Sequence, residues 1–386
     1  MLTSLAYIFV LALLLGYLFN KLRLPSLLGM LLTGVVLGPH VAGVISPSLL
    51  GISAELRQVA LVIILLRVGL ALDVNDLKKV GRPAILMCFV PACFEIFGVM
   101  LIAPSLLGVT LLEAAIIGSV VAAVSPAIIV PKMLYLIENK IGTKKHIPQI
   151  IMAAGSVDGV FVIVLFTAFV ALELGGDISP ITLIQIPISI IMGLLVGGIT
   201  GWLLSIFFKT FHIRDTIKLL LLVSVSFLFI TLENCTKDIV AISGLLAIMA
   251  MGATIFKAHS VLAKRISPKF SKLWIGAEII LFVMVGTTLD LEFVSKAGVA
   301  VVALVFFALI FRMIGVAAST TKTKLTINEQ LFCMISYIPK ATVQAAIGSL
   351  PLAMGLPCGK IVLTVAVLAI LITAPLGALG IDLTYK

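Results

Sequence analysis

The sequence is poor in charge. Only 11% of its 386 residues are Asp, Glu, Lys or Arg, against 61% hydrophobic residues and a mean hydropathy of +1.29. That balance excludes a soluble globular domain, whose apolar share is nearer half. Loops long enough to fold by themselves are also missing, so any soluble catalytic or regulatory domain is expected on another chain. Four histidines, His40, His146, His212 and His259, stand apart near the ends of apolar runs. With no His–Cys or His–carboxylate cluster, neither a resident cofactor nor enzymatic chemistry is expected. Five cysteines (Cys88, Cys93, Cys235, Cys333 and Cys358) show neither disulfide nor zinc spacing and read as small core hydrophobes. The ten-residue alternation of outer-membrane strands is absent, which leaves membrane-spanning helices.

What is present is a series of apolar runs about 18 to 25 residues long. Thirteen spans are expected, at approximately 2–20, 24–46, 55–74, 82–104, 111–135, 147–172, 180–208, 215–233, 238–257, 272–291, 295–317, 327–353 and 359–379. The first reads as a retained helix rather than a signal peptide, because no basic segment precedes it and no small-residue cleavage site follows. Net charge is +10, and its placement argues for topology rather than a nucleic-acid partner. Eighteen Lys and Arg flank the loops after odd-numbered spans, among them Lys21, Arg23, Lys78, Lys79, Lys144, Lys145, Lys264 and Arg265; after even-numbered spans stand only Arg57, Lys237, Lys296 and Lys360. The positive-inside bias places odd loops in the cytoplasm, the N-terminus outside and the C-terminus inside, with the cell membrane as the expected location. Glycines between Gly193 and Gly201 imitate a nucleotide loop but lie within a span, where they read as close helix packing.

Two spans are interrupted. Ser125-Pro126-Ala127-Ile128-Ile129-Val130-Pro131 breaks span 5, and Ile338-Pro339-Lys340-Ala341 breaks span 12. A membrane helix loses backbone bonds at such points and keeps the break only where protein or a wet cavity surrounds it. With span 7 as connector, spans 1–6 and 8–13 form two inverted repeats and the breaks fall in equivalent members, the pattern of a transporter site. Pro39, Pro91 and Pro351 read as simple kinks. Arg67, Glu95, Asp158, Arg312 and Lys340 lie deep within spans, where each ionised group costs about 2.5 to 3.5 kcal/mol by insertion scales. Pairing is therefore expected: Glu95 with Arg312, which are repeat equivalents, and Asp158 with Lys340. Arg67 has no evident partner. Glu113, Lys132, Asp238, Glu278 and Asp290 lie nearer span ends and read as interfacial.

The chain resembles the monovalent cation/proton antiporter superfamily, and most closely its NHA-type sodium/proton antiporters. The resemblance rests on Arg23-Leu24-Pro25 with Leu28-Gly29 and Gly38-Pro39, Leu66-Arg67-Val68-Gly69-Leu70, Ala123-Val124-Ser125-Pro126-Ala127 through Pro131, Ile338 through Ala346, and Leu371-Ile372-Thr373-Ala374-Pro375. It implies an all-α integral membrane protein of the NhaA-like antiporter fold, with inverted repeats and crossed broken helices at Pro126, Pro131 and Pro339. It further implies a homodimer in the bilayer. Spans 1–3 and 8–10 (about 2–74 and 215–291) would form the dimerisation domain, and spans 4–6 and 11–13 (about 82–172 and 295–379) a core moving like an elevator. Span 7 (about 180–208) would link them. The implied buried pair falls on Glu95 and Arg312, and the core lysine with its counter-ion on Lys340 and Asp158.

One position departs from the family pattern. Where these antiporters carry two adjacent aspartates, this chain reads Asp158-Gly159, so the usual ion ligand is replaced by Gly159. A carboxylate couples two fluxes because Na⁺ or Li⁺ and a proton compete for the same oxygens, and glycine offers no such group. Three readings are open: Asp158 takes over as the ligand; the architecture persists with impaired exchange; or the chain is a non-transporting, sensor-like relative. A fourth class, the sodium-coupled organic-solute symporters, shares the architecture. Around the breaks stand only Ser125, Ser156, Ser336, Thr342 and Gln344 besides the charges, enough to complete a cation shell but sparse for an organic solute.

Overall fold

In hydrocarbon every amide must be satisfied within its own segment, so apolar runs of this length close as α-helices. The computed structural model is helical accordingly, with no strand among the described residues, which are 1–22, 24–71, 81–175, 180–211, 213–236 and 242–385. In chain order the helices are α1 (Leu2–Lys21), α2 (Ser26–Leu37), α3 (Pro47–Gly51), α4 (Ser53–Ala71), α5 (Arg82–Met87), α6 (Val90–Leu107), α7 (Leu111–Ala122), α8 (Pro126–Glu138) and α9 (Ile147–Leu174). There follow α10 (Pro180–Thr210), α11 (Asp215–Thr236), α12 (Gly244–Ala258), α13 (Ser260–Thr287), α14 (Leu291–Thr320), α15 (Ile327–Ser336), α16 (Thr342–Ile347), α17 (Leu350–Ala353) and α18 (Gly359–Thr384). Among the described residues, nine helical stretches have the length and composition to cross a membrane, and α2, α12 and residues 342–353 are shorter apolar helices. Several expected features lie outside the described residues: Arg23, Lys78, Lys79, His212, Lys237, Asp238 and the side chains of Ser156 and Lys296.

The chain divides into two units. One comprises Met1–Arg57, Asn75–Phe169 and Ile279–Lys386. Within it, α1 presents Ser4, Ile8, Ala12 and Gly16, every fourth residue, as its buried stripe, and the rest of that helix is left apolar for lipid. Gly29 of α2 approaches so closely that a Cβ there would stand 2.6 Å from the Leu15 carbonyl carbon. Helices α6 and α14 pack the same way, Gly98 against Phe311 and Gly315 against Pro91. Helix α7 is buried at ten successive positions, Glu113 to Ala122, the signature of an element enclosed by protein on all sides.

The other unit comprises Gln58–Val74 and Val170–Glu278. Its centre is the pair α10 and α12. Gly193, Gly197 and Gly201 of α10 face Ser243, the residue that caps α12, and Ala247 and Met251 within it, each series advancing by four residues. Small residues at that period let two backbones touch, as the sequence implied for this glycine-rich stretch. Arg67, unassigned from sequence, finds its electrostatic partner in Glu278 within this same unit.

Candidate functional site

Both interrupted spans begin with the same device. Thr110 and Glu113 cap α7 reciprocally: the Thr110 N–H donates to Glu113 Oε2 at 2.8 Å, and the Glu113 N–H donates to Thr110 Oγ1 at 3.2 Å. Thr326 and Glu329 cap α15 identically, at 2.6 and 3.4 Å. A Thr-x-x-Glu box satisfies two orphan donors of a first helical turn, and it marks the start of the broken element in each half.

After 12 helical residues α7 stops. Ala123 and Ser125 are extended (ψ 137° and 107°), and Pro126 opens α8 at its first position, where the missing N–H costs nothing. Pro131, expected as part of the break, instead lies inside α8. An isolated proline removes one backbone bond and bends a helix, whereas the run 123–125 frees several groups at once. In the second half α15 ends at Ser336, residues 338–341 are non-helical, and Thr342 opens α16. The two breaks meet directly, the Ser125 N–H donating to the Pro339 carbonyl at 2.9 Å.

Groups freed by unwinding are claimed by side chains from both halves. Gln344 donates from Nε2 to the Ala123 carbonyl at 2.7 Å and accepts the Ala341 N–H on Oε1 at 2.8 Å, so it ties one break to the other. The Val124 N–H donates to Asp158 Oδ2 at 2.8 Å. The Lys340 N–H donates to Thr373 Oγ1 at 2.9 Å. Arg312, on α14, holds both half-helix C-termini: Nε donates to the Tyr337 carbonyl at 2.8 Å and Nη1 to the Ala122 carbonyl. Orphan carbonyls at a helix C-terminus carry partial negative charge, which a guanidinium with five donors satisfies well.

Four ionisable side chains join in one buried chain. Lys340 Nζ lies 2.6 Å from Glu95 Oε2, the same oxygen lies 2.8 Å from Arg312 Nη1, and Arg312 Nη2 lies 3.0 Å from Asp158 Oδ2. All four are at most 1% exposed, and their formal charges alternate in sign and sum to zero. The expected Glu95–Arg312 pair is present. The expected Asp158–Lys340 contact is not, although the two groups still attract across the network: the lysine sits on Glu95, while Arg312 and the Val124 N–H take the aspartate. Glu95 accepts two cations, and Arg312 has donors enough to serve two carboxylates.

Among the described residues, three buried oxygens here have no hydrogen-bond partner: Asp158 Oδ1, Ser125 Oγ and Ser336 Oγ. Thr342 is buried at the first turn of α16. Beside Asp158, a Cβ placed on Gly159 would meet only Val343 Cγ2, at the ordinary contact distance of 3.5 Å. Among the described residues no group of three or more His, Cys, Asp or Glu is poised around a metal. Sequence reasoning missed Thr373 and the bridging geometry of Gln344; the paired Thr-x-x-Glu signals at Thr110 and Thr326 would have aligned the halves and exposed both.

The profile of the family described as "Sodium/hydrogen exchanger, transmembrane" matches residues 9–384. The chain belongs to the sodium/hydrogen exchanger family. Family membership places it in the monovalent cation/proton antiporter superfamily. Among its relatives, human "Sodium/hydrogen exchanger 9B2" is 31% identical over 383 residues, covering 93% of this chain and 69% of the relative. Human "Sodium/hydrogen exchanger 9B1" is 30% identical, covering 92% and 71%. In fold, this family member is similar to the sodium proton antiporter MjNhaP1 from Methanocaldococcus jannaschii, solved at pH 8, with a TM-score of 0.84 at 19% identity over 100% of this chain and 97% of that one. At that identity the likeness fixes architecture, an all-helical antiporter fold, and leaves the chemistry to the residues.

Proposed function

We propose that the protein is a secondary transporter exchanging Na⁺ or Li⁺ for protons, with Asp158 as the group for which the two cargoes compete. The observation that carries this reading is the buried Asp158 Oδ1, which has no hydrogen-bond partner among the described residues and lies beside the point where the two unwound stretches meet. Its twin Oδ2 is fixed by Arg312 and the Val124 N–H, so the carboxylate is aimed and half of its valence is left for a hard cation or a proton. Ser125 Oγ, without a hydrogen-bond partner among the described residues and within the same break, is proposed as a further ligand, with Ser156 and Thr342 completing the shell; Lys340 supplies proton coupling through Glu95. The four ionised groups balance. A proton or a Na⁺ on Asp158 each brings the network to the same charge of plus one, so a one-for-one swap is electroneutral.

The same reading takes the protein as a homodimer in the cell membrane, N-terminus outside, with spans 4–6 and 11–13 moving as an elevator against the remainder. Support for exchange comes from the family and from the named activities of the relatives; support for Asp158 comes from the buried network. Measuring Na⁺- and Li⁺-driven proton movement in proteoliposomes tests it, for the chain as it stands, for Asp158→Asn and for Gly159→Asp. Exchange that Asp158→Asn abolishes is the expected result. Exchange seen only after Gly159→Asp would overturn the role of Asp158 and make the native chain an impaired exchanger; none in either would favour a sensor.

A further inference from the structure

The two halves hold their breaks by matching bonds that differ in charge. Counted from the capping threonines, Val124 (from Thr110) and Lys340 (from Thr326) occupy the same register. Each donates its backbone N–H to a side-chain oxygen on the helix that follows its own broken element, Val124 to Asp158 on α9 and Lys340 to Thr373 on α18. Thr373 is fully buried, and its own proton is committed to the Ala369 carbonyl at 2.7 Å. One turn further on, Gly377 is the residue that leaves room for the Pro339 ring.

From this correspondence we infer that Thr373 is the positioning residue for Lys340, the uncharged second-half counterpart of Asp158. The consequence is an asymmetry between the breaks, and it rests on the exchange reading above. Asp158 anchors the first break with the same carboxylate that takes the cargo, so that anchor feels every loading event. The Thr373 hydroxyl is neutral and already spends its proton on Ala369, so its hold on the Lys340 backbone is the same whichever cargo is bound. The backbone that carries the lysine therefore keeps its place opposite Glu95 while Asp158 trades a proton for a cation.

The experiment compares wild type, Thr373→Val and Thr373→Ser. In proteoliposomes, Thr373→Val is expected to lower the maximal exchange rate about 5- to 10-fold, the scale of one buried neutral hydrogen bond. It should also displace the pH midpoint by up to about one unit, while the apparent KM for Na⁺ stays within about twofold because Asp158 is untouched. Thr373→Ser restores the rate and the profile. Hydrogen-exchange mass spectrometry of the purified protein reads the positioning without any transport: in Thr373→Val the segment 338–341 should exchange at least about tenfold faster, and residues 123–125 should not change. An unaltered pH profile, an unaltered 338–341 segment, or a serine variant as impaired as valine would each overturn the inference. A wild type that moves no protons would sink the exchange reading alone, since the hydrogen-exchange comparison still decides the role of Thr373.

Discussion

Replacing Arg312 should damage this protein more than replacing any other single side chain. The guanidinium contacts two carboxylates and the terminal carbonyls of two half-helices. In Arg312→Met, Glu95 keeps Lys340, but Asp158 keeps only the Val124 N–H. An uncompensated buried charge costs about 3–5 kcal/mol. Two carbonyls left without a donor add about 1–3 kcal/mol each. Against a total stability of about 5–15 kcal/mol, that loss approaches the whole.

Arg312→Lys keeps the charge yet offers three donors from one nitrogen, too few and too compact for four acceptors in a fork, so its loss should be intermediate. Adding Asp158→Asn to Arg312→Met removes the stranded charge and leaves the neutral Lys340–Glu95 pair. The double variant should recover at least about 2 kcal/mol relative to additive single losses. Melting temperatures of detergent-purified protein, followed by size exclusion, order the set: wild type, Arg312→Lys, the double variant, Arg312→Met. Additivity of the two changes, or an Arg312→Met protein within about 1 kcal/mol of wild type, would refute the idea that Asp158 depends on this arginine.

Two further outcomes test the crossing and the repeat. Gly377→Ala would drive a methyl into the Pro339 ring, so a loss of about 1–3 kcal/mol by overpacking is expected in the same melts, whereas Gly276→Ala, with nothing within 4 Å, should be neutral or stabilising by up to about 1 kcal/mol. Thr110→Ala and Thr326→Ala should each cost about 0.5–2 kcal/mol and their serine counterparts much less; unequal sensitivity of serine and alanine at only one site would break the equivalence of the two boxes.

Much of the fold was legible because lipid imposes one solution on an apolar run. Helices stand at the expected spans, yet their ends follow hydrogen bonding rather than hydropathy. Span 10 was expected from residue 272, but α13 begins at Ser260 and carries Lys264, Arg265, Lys269 and Lys272 in its polar opening turns. Hydropathy registers what lipid accepts, and charged residues with good helical propensity continue a helix beyond it. Span 2 errs the other way: expected over 24–46, α2 stops at Leu37, where Gly38 turns extended (ψ 171°) ahead of Pro39, as the residue before a proline prefers.

For the site, the depth of Glu95, Asp158, Arg312 and Lys340 was legible, because charge inside an apolar run is expensive and must converge on partners. The Glu95–Arg312 pairing was legible too; the partners of Lys340 and Asp158 were not. Spacing orders residues along each helix, but Lys340 sits in unwound backbone, whose path is set by the Thr373 and Gln344 bonds at either side of it. Those bonds deliver its ammonium to Glu95 and leave Arg312 to reach Asp158. The carboxylate that sequence reasoning gave to a lysine is therefore held by a donor that also clamps both helix ends. On the proposed reading, a cargo at Asp158 would pull on the guanidinium that clamps both helix ends, while the Thr373 bond behind Lys340 stays indifferent to it.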